Sequence, residues 1–166
     1  MSPPTTIAEA FLSELDVEMP TTRRLLERVP SDKAAWKPHQ KSFSLGHLAQ
    51  LVSRMPGWLT LTMRENALDL GKGQPYSLEK TETLLAEFDR HVKEARETLA
   101  SAKDGVFMEP WSLKSGDRVF FTLPRIAVMR QNVNHLVHHR GQLSVYLRLV
   151  NVPLPSIYGP TADEGW

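Results

Sequence analysis

Apolar residues recur at helical spacing in four long segments of the chain. Ile7, Phe11, Leu15, Met19, Leu26 and Val29 stand three, four or seven residues apart, which predicts a first helix from about Thr5 to Val29. Pro20 falls inside that pattern, and because the apolar phase continues across it the segment reads as one bent helix. Ser31-Asp-Lys and Trp36-Lys-Pro38 mark a connecting loop. Ser44 then suits the N-cap of a second helix whose inner stripe is Leu45, Leu48, Leu51, Val52, Met55, Leu59 and Met63, with a bend at Pro56-Gly57.

Gly71-Lys-Gly-Gln-Pro75 breaks the pattern, and Ser77 is the expected cap of a third helix through Leu78, Leu84, Leu85, Phe88, Val92, Ala95 and Leu99. From Lys103 to Phe121 the periodicity dissolves into Asp-Gly, Glu-Pro and Ser-Gly-Asp turn signals, and only Arg118-Val-Phe-Phe121 reads as a short extended piece. This long loop is a candidate cover for a site. Thr122 caps and Pro124 opens a fourth helix with Ile126, Met129, Val133, Leu136, Leu143, Leu147 and Val150 on its core face. The tail from Asn151 to Trp166 contains Pro153, Pro155 and Pro160 and cannot be regular helix.

Four amphipathic helices with almost no strand signal predict an all-α fold: a four-helix bundle with a long loop before the last helix and a Pro-rich C-terminal tail. A length of 166 residues suits a single domain spanning 1–166.

Composition removes several function classes. Twenty basic residues against nineteen acidic ones give a net charge of +1, which provides no field to collect nucleic acid or anionic lipid. No apolar run approaches the ~20 residues that span a bilayer, and Met1-Ser-Pro-Pro-Thr-Thr lacks the pattern of a signal peptide, so the expected location is the cytoplasm. The chain has no cysteine, which excludes disulfides, thiolate ligands and a protein-borne thiol nucleophile. Any sulfur chemistry here needs an outside thiol.

The candidate chemistry lies in the histidines. His135 and His139 are four residues apart on the fourth helix and project from one face, close enough to share an ion. An arbitrary pair at this spacing is more often two half-exposed side chains bonded to neighbours. Here, at about 100° per residue, Val128, Asn132, His135, His139, Gln142 and Tyr146 form one strip bordering the core. So many polar groups along a half-buried face call for a common partner, a metal or a polar pocket. His138 lies roughly 100° or more away and is expected to be exposed or at a subunit contact. His47, at the start of the second helix, is one candidate for a third ligand, and loop residue His39 is another; His91 sits on the charged third helix. Three protein ligands and an open position make a typical catalytic metal site.

Three segments together resemble the DinB/YfiT-like family of metalloenzymes: Trp36-Lys-Pro38, Ser44-Leu-Gly46-His47-Leu, and Asn134-His135-Leu-Val-His138-His139-Arg140-Gly141-Gln142-Leu. The likeness extends to the tail Leu154-Pro-Ser-Ile-Tyr-Gly-Pro160. It implies a four-helix bundle, often a homodimer, that holds a metal ion on His47, His135 and His139; imidazole donors suit a divalent ion such as Zn, Ni or Fe without choosing among them. Some members resemble transferases or isomerases that use a low-molecular-weight thiol such as bacillithiol, mycothiol or glutathione.

The expected function is therefore a metal-dependent enzyme that transfers such a thiol, as co-substrate, to an electrophilic small molecule in detoxification or stress. The alternatives are a metal-dependent hydrolase using a metal-bound water, and a non-enzymatic, metal-stabilised binding protein. Gln142 and Tyr146 are candidate substrate-binding groups. Arg140 is a third, although its place beside Leu136 and Leu143 makes a buried ion pair the more natural use of its charge.

Overall fold

The computed structural model describes residues 6–73 and 75–165. Helix α1 spans Ile7–Leu26 and begins on a capping box: Thr6 Oγ1 accepts from the Glu9 N–H at 3.1 Å while the Glu9 carboxylate accepts from the Thr6 N–H at 3.0 Å. Its predicted first residue, Thr5, lies outside the described residues. The helix runs unbroken through Pro20 and buries Phe11, Leu15, Met19, Leu25 and Leu26.

Helix α2, Leu45–Arg64, starts on the expected cap, with Ser44 Oγ accepting from the His47 N–H at 3.2 Å, and contains Pro56. Gly46 sets how the preceding loop meets it. The Gly46 N–H donates to Ala34 O at 2.8 Å, and a Cβ at Gly46 would stand 2.9 Å from Ala34 Cβ and 3.1 Å from that carbonyl oxygen. The Leu45 N–H donates to Trp36 O at 2.8 Å. The loop carrying Trp36 is thus pinned to the turn that carries His47.

Helix α3 spans Thr81–Ala100 and starts later than the apolar pattern suggests. Ser77 does not cap it, because its backbone and hydroxyl are engaged elsewhere: the Ser77 N–H donates to Gln50 Oε1 at 2.8 Å and Gln50 Nε2 donates to Ser77 Oγ at 3.2 Å. Residues 75–80 instead form an irregular strap fastened to α2 by the Gln50 amide. Helix α4 spans Arg125–Leu149, so Thr122 and Pro124 belong to the preceding strand.

The segment expected to be a loop carries a small sheet, so the fold is not all-α. Strand β1 (Ala67–Asp69) pairs parallel to β2 (Pro110–Ser115), which pairs antiparallel to β3 (Arg118–Pro124). The Ser-Gly-Asp signal is the hairpin turn, with Gly116 in the left-handed region at φ +56°. Cross-strand pairs Trp111 with Leu123 and Leu113 with Phe121 supply the apolar contacts that a purely polar loop would lack.

Helix α2 packs on α3 and α4, and α1 packs on the same two helices. Leucines, methionines and Phe11, Phe88 and Phe107 fill the space between them. Arg125, at 3% exposure, joins the C-terminal end of α2 to the start of α4: its guanidinium donates to Thr62 O, to Asn66 Oδ1 at 2.7 Å and to Glu109 Oε2 at 3.2 Å. The Pro-rich tail is irregular, as expected, and folds back so that Val152 and Leu154 touch the core. Among the described residues no helix is long and apolar enough to cross a membrane.

Candidate functional site

The polar strip of α4 faces α2 and the sheet. His135 and His139 project one turn apart, and their Nε2 atoms converge to 2.8 Å. The Nδ1 atom of His139 lies 2.7 Å from Gln142 Oε1. An amide oxygen only accepts, so Nδ1 carries the proton and donates, and Nε2 of His139 holds the ring's lone pair. His135 Nε2–H then donates to that lone pair.

Burial pushes both imidazoles below their ordinary range; the His139 and His138 rings add to the effect on His135, while Gln142 opposes it at His139. The folded chain therefore holds the pair neutral, with the His139 Nε2 lone pair available to a metal, whereas His135 would ligate through Nε2 only after its proton moves to Nδ1. Two nitrogens each roughly 2.0–2.1 Å from one tetrahedral zinc-like ion sit about 3.3 Å apart, so the rings, 2.8 Å apart here, would need to open by only about half an ångström. By donor type, spacing and an Nδ1 fixed from behind, the pair fits two positions of a metal site.

The third predicted ligand is placed differently. His47 is half-buried and stacked between Phe43, 4.2 Å away centroid to centroid, and Tyr76 of the strap, at 4.1 Å. Among the described residues no three His, Asp or Glu side chains are grouped so as to hold an ion, so the three-histidine set is not assembled in this arrangement. His39 is exposed and accepts from the Lys41 N–H. His91 packs on Gly57, and His138 is exposed, its ring edge-on to His139.

Arg140 is 1% exposed and committed: it pairs with Glu18 at 2.6 Å and donates to Thr22 Oγ1 at 3.1 Å and to the Tyr158 hydroxyl at 2.7 Å. Its charge is thereby engaged on the α1 side of α4. Tyr146 is half-buried, with its ring edge-on to Trp36 at 5.7 Å. Gln142 is exposed on α4, and its amide oxygen accepts from His139.

Sequence reasoning did not foresee the cavity beside His135. It measures about 340 Å³ and lies between α2, α4 and the hairpin, with Trp58, Trp111, Phe121 and Val128 on its apolar wall and Asn132 and His135 at its margin. Trp58 stands 5.6 Å from the His135 ring, tilted by 40°. Asn132 Nδ2 donates to Thr62 Oγ1 at 3.0 Å, fixing this margin to α2. The available signal was the alternation of Trp111 with Leu113 and of Phe121 with Leu123, which points one face of each strand inward.

The sequence profile of the DinB family matches residues 1–165. This chain belongs to the DinB family. Two solved structures share its fold: a DinB-like protein from Bacillus cereus ATCC 10987, with a TM-score of 0.71 and 21% identity over 92% of this chain and 98% of that one, and a DinB-like protein from Bacillus subtilis, with a TM-score of 0.70 and 17% identity over 89% and 97%. No curated protein sequence matches.

Proposed function

We propose that this DinB protein is a metal-dependent enzyme that transfers an exogenous thiol to an electrophilic small molecule. The observation that carries the reading is the convergence of His135 Nε2 and His139 Nε2 at 2.8 Å, with His139 Nδ1 oriented by Gln142. His135 and His139 would be two ligands, and His47 a third once its ring leaves the stack between Phe43 and Tyr76. A divalent ion held there would supply a Lewis acid that lowers the pKa of an entering thiol.

The chain's own residues have separate tasks. Gln142 keeps the His139 lone pair aimed at the shared point, and Trp58 and Asn132 bound the space in which a substrate meets the histidines. In the transfer, a carbon–sulfur bond forms as the bond from that carbon to its leaving group breaks, and the thiol proton passes to solvent. The chain contains no cysteine, so the sulfur comes from the co-substrate.

The test is to incubate the metal-loaded protein with monochlorobimane and, separately, bacillithiol, mycothiol and glutathione, following conjugates by mass spectrometry. Conjugation faster than in buffer with one of the thiols, lost in His139→Ala, supports the reading. Product formed without any thiol would replace transfer by hydrolysis. No turnover by a fully metal-loaded protein in any arm would leave a non-enzymatic metal-binding role.

A further inference from the structure

Two cavities meet along Trp58, and they differ in charge. On one side the 340 Å³ cavity is lined, among the described residues, by no Asp, Glu, Lys or Arg side chain. On the other side a cavity of about 570 Å³ carries Arg54, Lys72, Arg90, Asp69 and Glu87. Both share Trp58, Leu61, Leu68 and Leu70. Only the uncharged one includes His135.

A cavity of this size falls within the roughly 300–1,000 Å³ typical of small-ligand sites. Three aromatic side chains, Trp58 of α2, Trp111 of β2 and Phe121 of β3, face it and offer flat surfaces for ring stacking. An anionic or cationic group placed among them would lose its hydration without a counter-charge, whereas an uncharged ring would displace water from apolar wall. Asn132, one of whose amide N–H groups is bonded to Thr62 Oγ1, brings no charge to offset that of an ion.

We propose that the cavity selects an uncharged substrate bearing an aromatic or similarly flat apolar body, and that the body seats against Trp58, Trp111 and Phe121 so that its reactive end emerges at the His135 margin. The seating of the body rests on the cavity alone, while the role of the emerging end rests on the metal-dependent reading above.

Two probes with the same ring separate shape from charge: 2-naphthylmethanol, which is neutral, and 2-naphthoate, which is anionic. Binding is measured on the metal-free full chain by calorimetry and by quenching of tryptophan fluorescence. The expected result is at least tenfold tighter binding of the alcohol. Phe121→Lys, which places a cation on the wall, should weaken the alcohol at least fivefold and narrow or reverse the preference. Phe120→Lys, on the opposite face of β3 where Phe120 is 45% exposed, should change neither. Should Phe121→Lys fail to fold, Gln131→Lys at the exposed margin of the cavity should tighten naphthoate at least threefold. Equal affinity for the two probes, binding of neither, or indifference to Phe121→Lys and to Gln131→Lys would overturn the proposal. Because no metal is present in these measurements, such a failure would leave the reading of the histidine pair untouched.

Discussion

Gln142 Oε1 stands 2.7 Å from Nδ1 of His139, on the far side of the ring from the nitrogen that meets His135. One amide therefore decides which tautomer His139 adopts and where its lone pair points. Partners of this kind behind a ligating imidazole are commonly worth 10–100-fold in metal affinity. Gln142→Leu is expected to weaken metal binding by about that range while leaving helical content as it was. Calorimetric titration alongside circular dichroism checks it, and undiminished affinity would show that the amide has no part in orienting the ring.

Arg140 and Glu18 form the most deeply buried ion pair described, tying α4 to α1 with Thr22 and Tyr158 filling the remaining contacts. Removing one partner leaves the other charge in a site where water cannot replace it, at a typical cost of about 3–5 kcal/mol. Glu18→Ala should lose stability on that scale in urea unfolding, with metal affinity per folded molecule unchanged. A loss under about 1 kcal/mol would place the pair among ordinary surface contacts.

Gly46 has a backbone carbonyl, Ala34 O, 3.1 Å from where its Cβ would be, and a carbonyl held by the adjoining turn cannot swing aside as a side-chain tip can. Gly46→Ala is expected to cost about 1–3 kcal/mol, the usual range for overpacking, despite alanine's better helix propensity. A raised melting temperature in this variant would mean that the loop bearing Trp36 yields freely.

Burial pushes the His91 imidazole below its ordinary range and Arg90 adds to that effect, with Glu87 and Glu94 opposing it. The unfolded chain, with an imidazole near 6.5, takes up the proton first as pH falls, so unfolding binds protons and stability, level at higher pH, declines as pH falls through about 6.5. His47, His135 and His139 are shifted the same way and share in the slope. His91→Gln should therefore make the decline between about pH 7.5 and 5.5 shallower without abolishing it. An unchanged slope would assign the whole effect to the other three rings.

Much of this was legible along the chain, and the reasons differ element by element. The α4 strip was readable because helical geometry alone aligns Asn132, His135, His139 and Gln142, and the structure has those side chains on one face. Ser44 was readable as a cap because its partner is three residues away. Ser77 was misread because the group that claims it, Gln50, lies on another helix. Only half of the hairpin was read, Arg118-Val-Phe-Phe121 as an extended piece that proves to lie in β3; β2 escaped notice because its alternation repeats only about twice before a turn residue interrupts it, and β1 lies far away in sequence. His47 illustrates the same limit: its stacking partner Tyr76 comes from the strap, and nothing near residue 47 announces it.

The histidine pair sits at the rim of a core that does not depend on it, so a chelator should strip bound metal without unfolding the helices. The decisive measurement is metal content per chain after titration with Zn, Ni and Fe(II), made on the unaltered protein, His139→Ala and His138→Ala. The account predicts one ion per chain in the unaltered protein and in His138→Ala, and none in His139→Ala, with all three equally helical. Equal metal content in the two variants, or no metal in the unaltered protein, would contradict it.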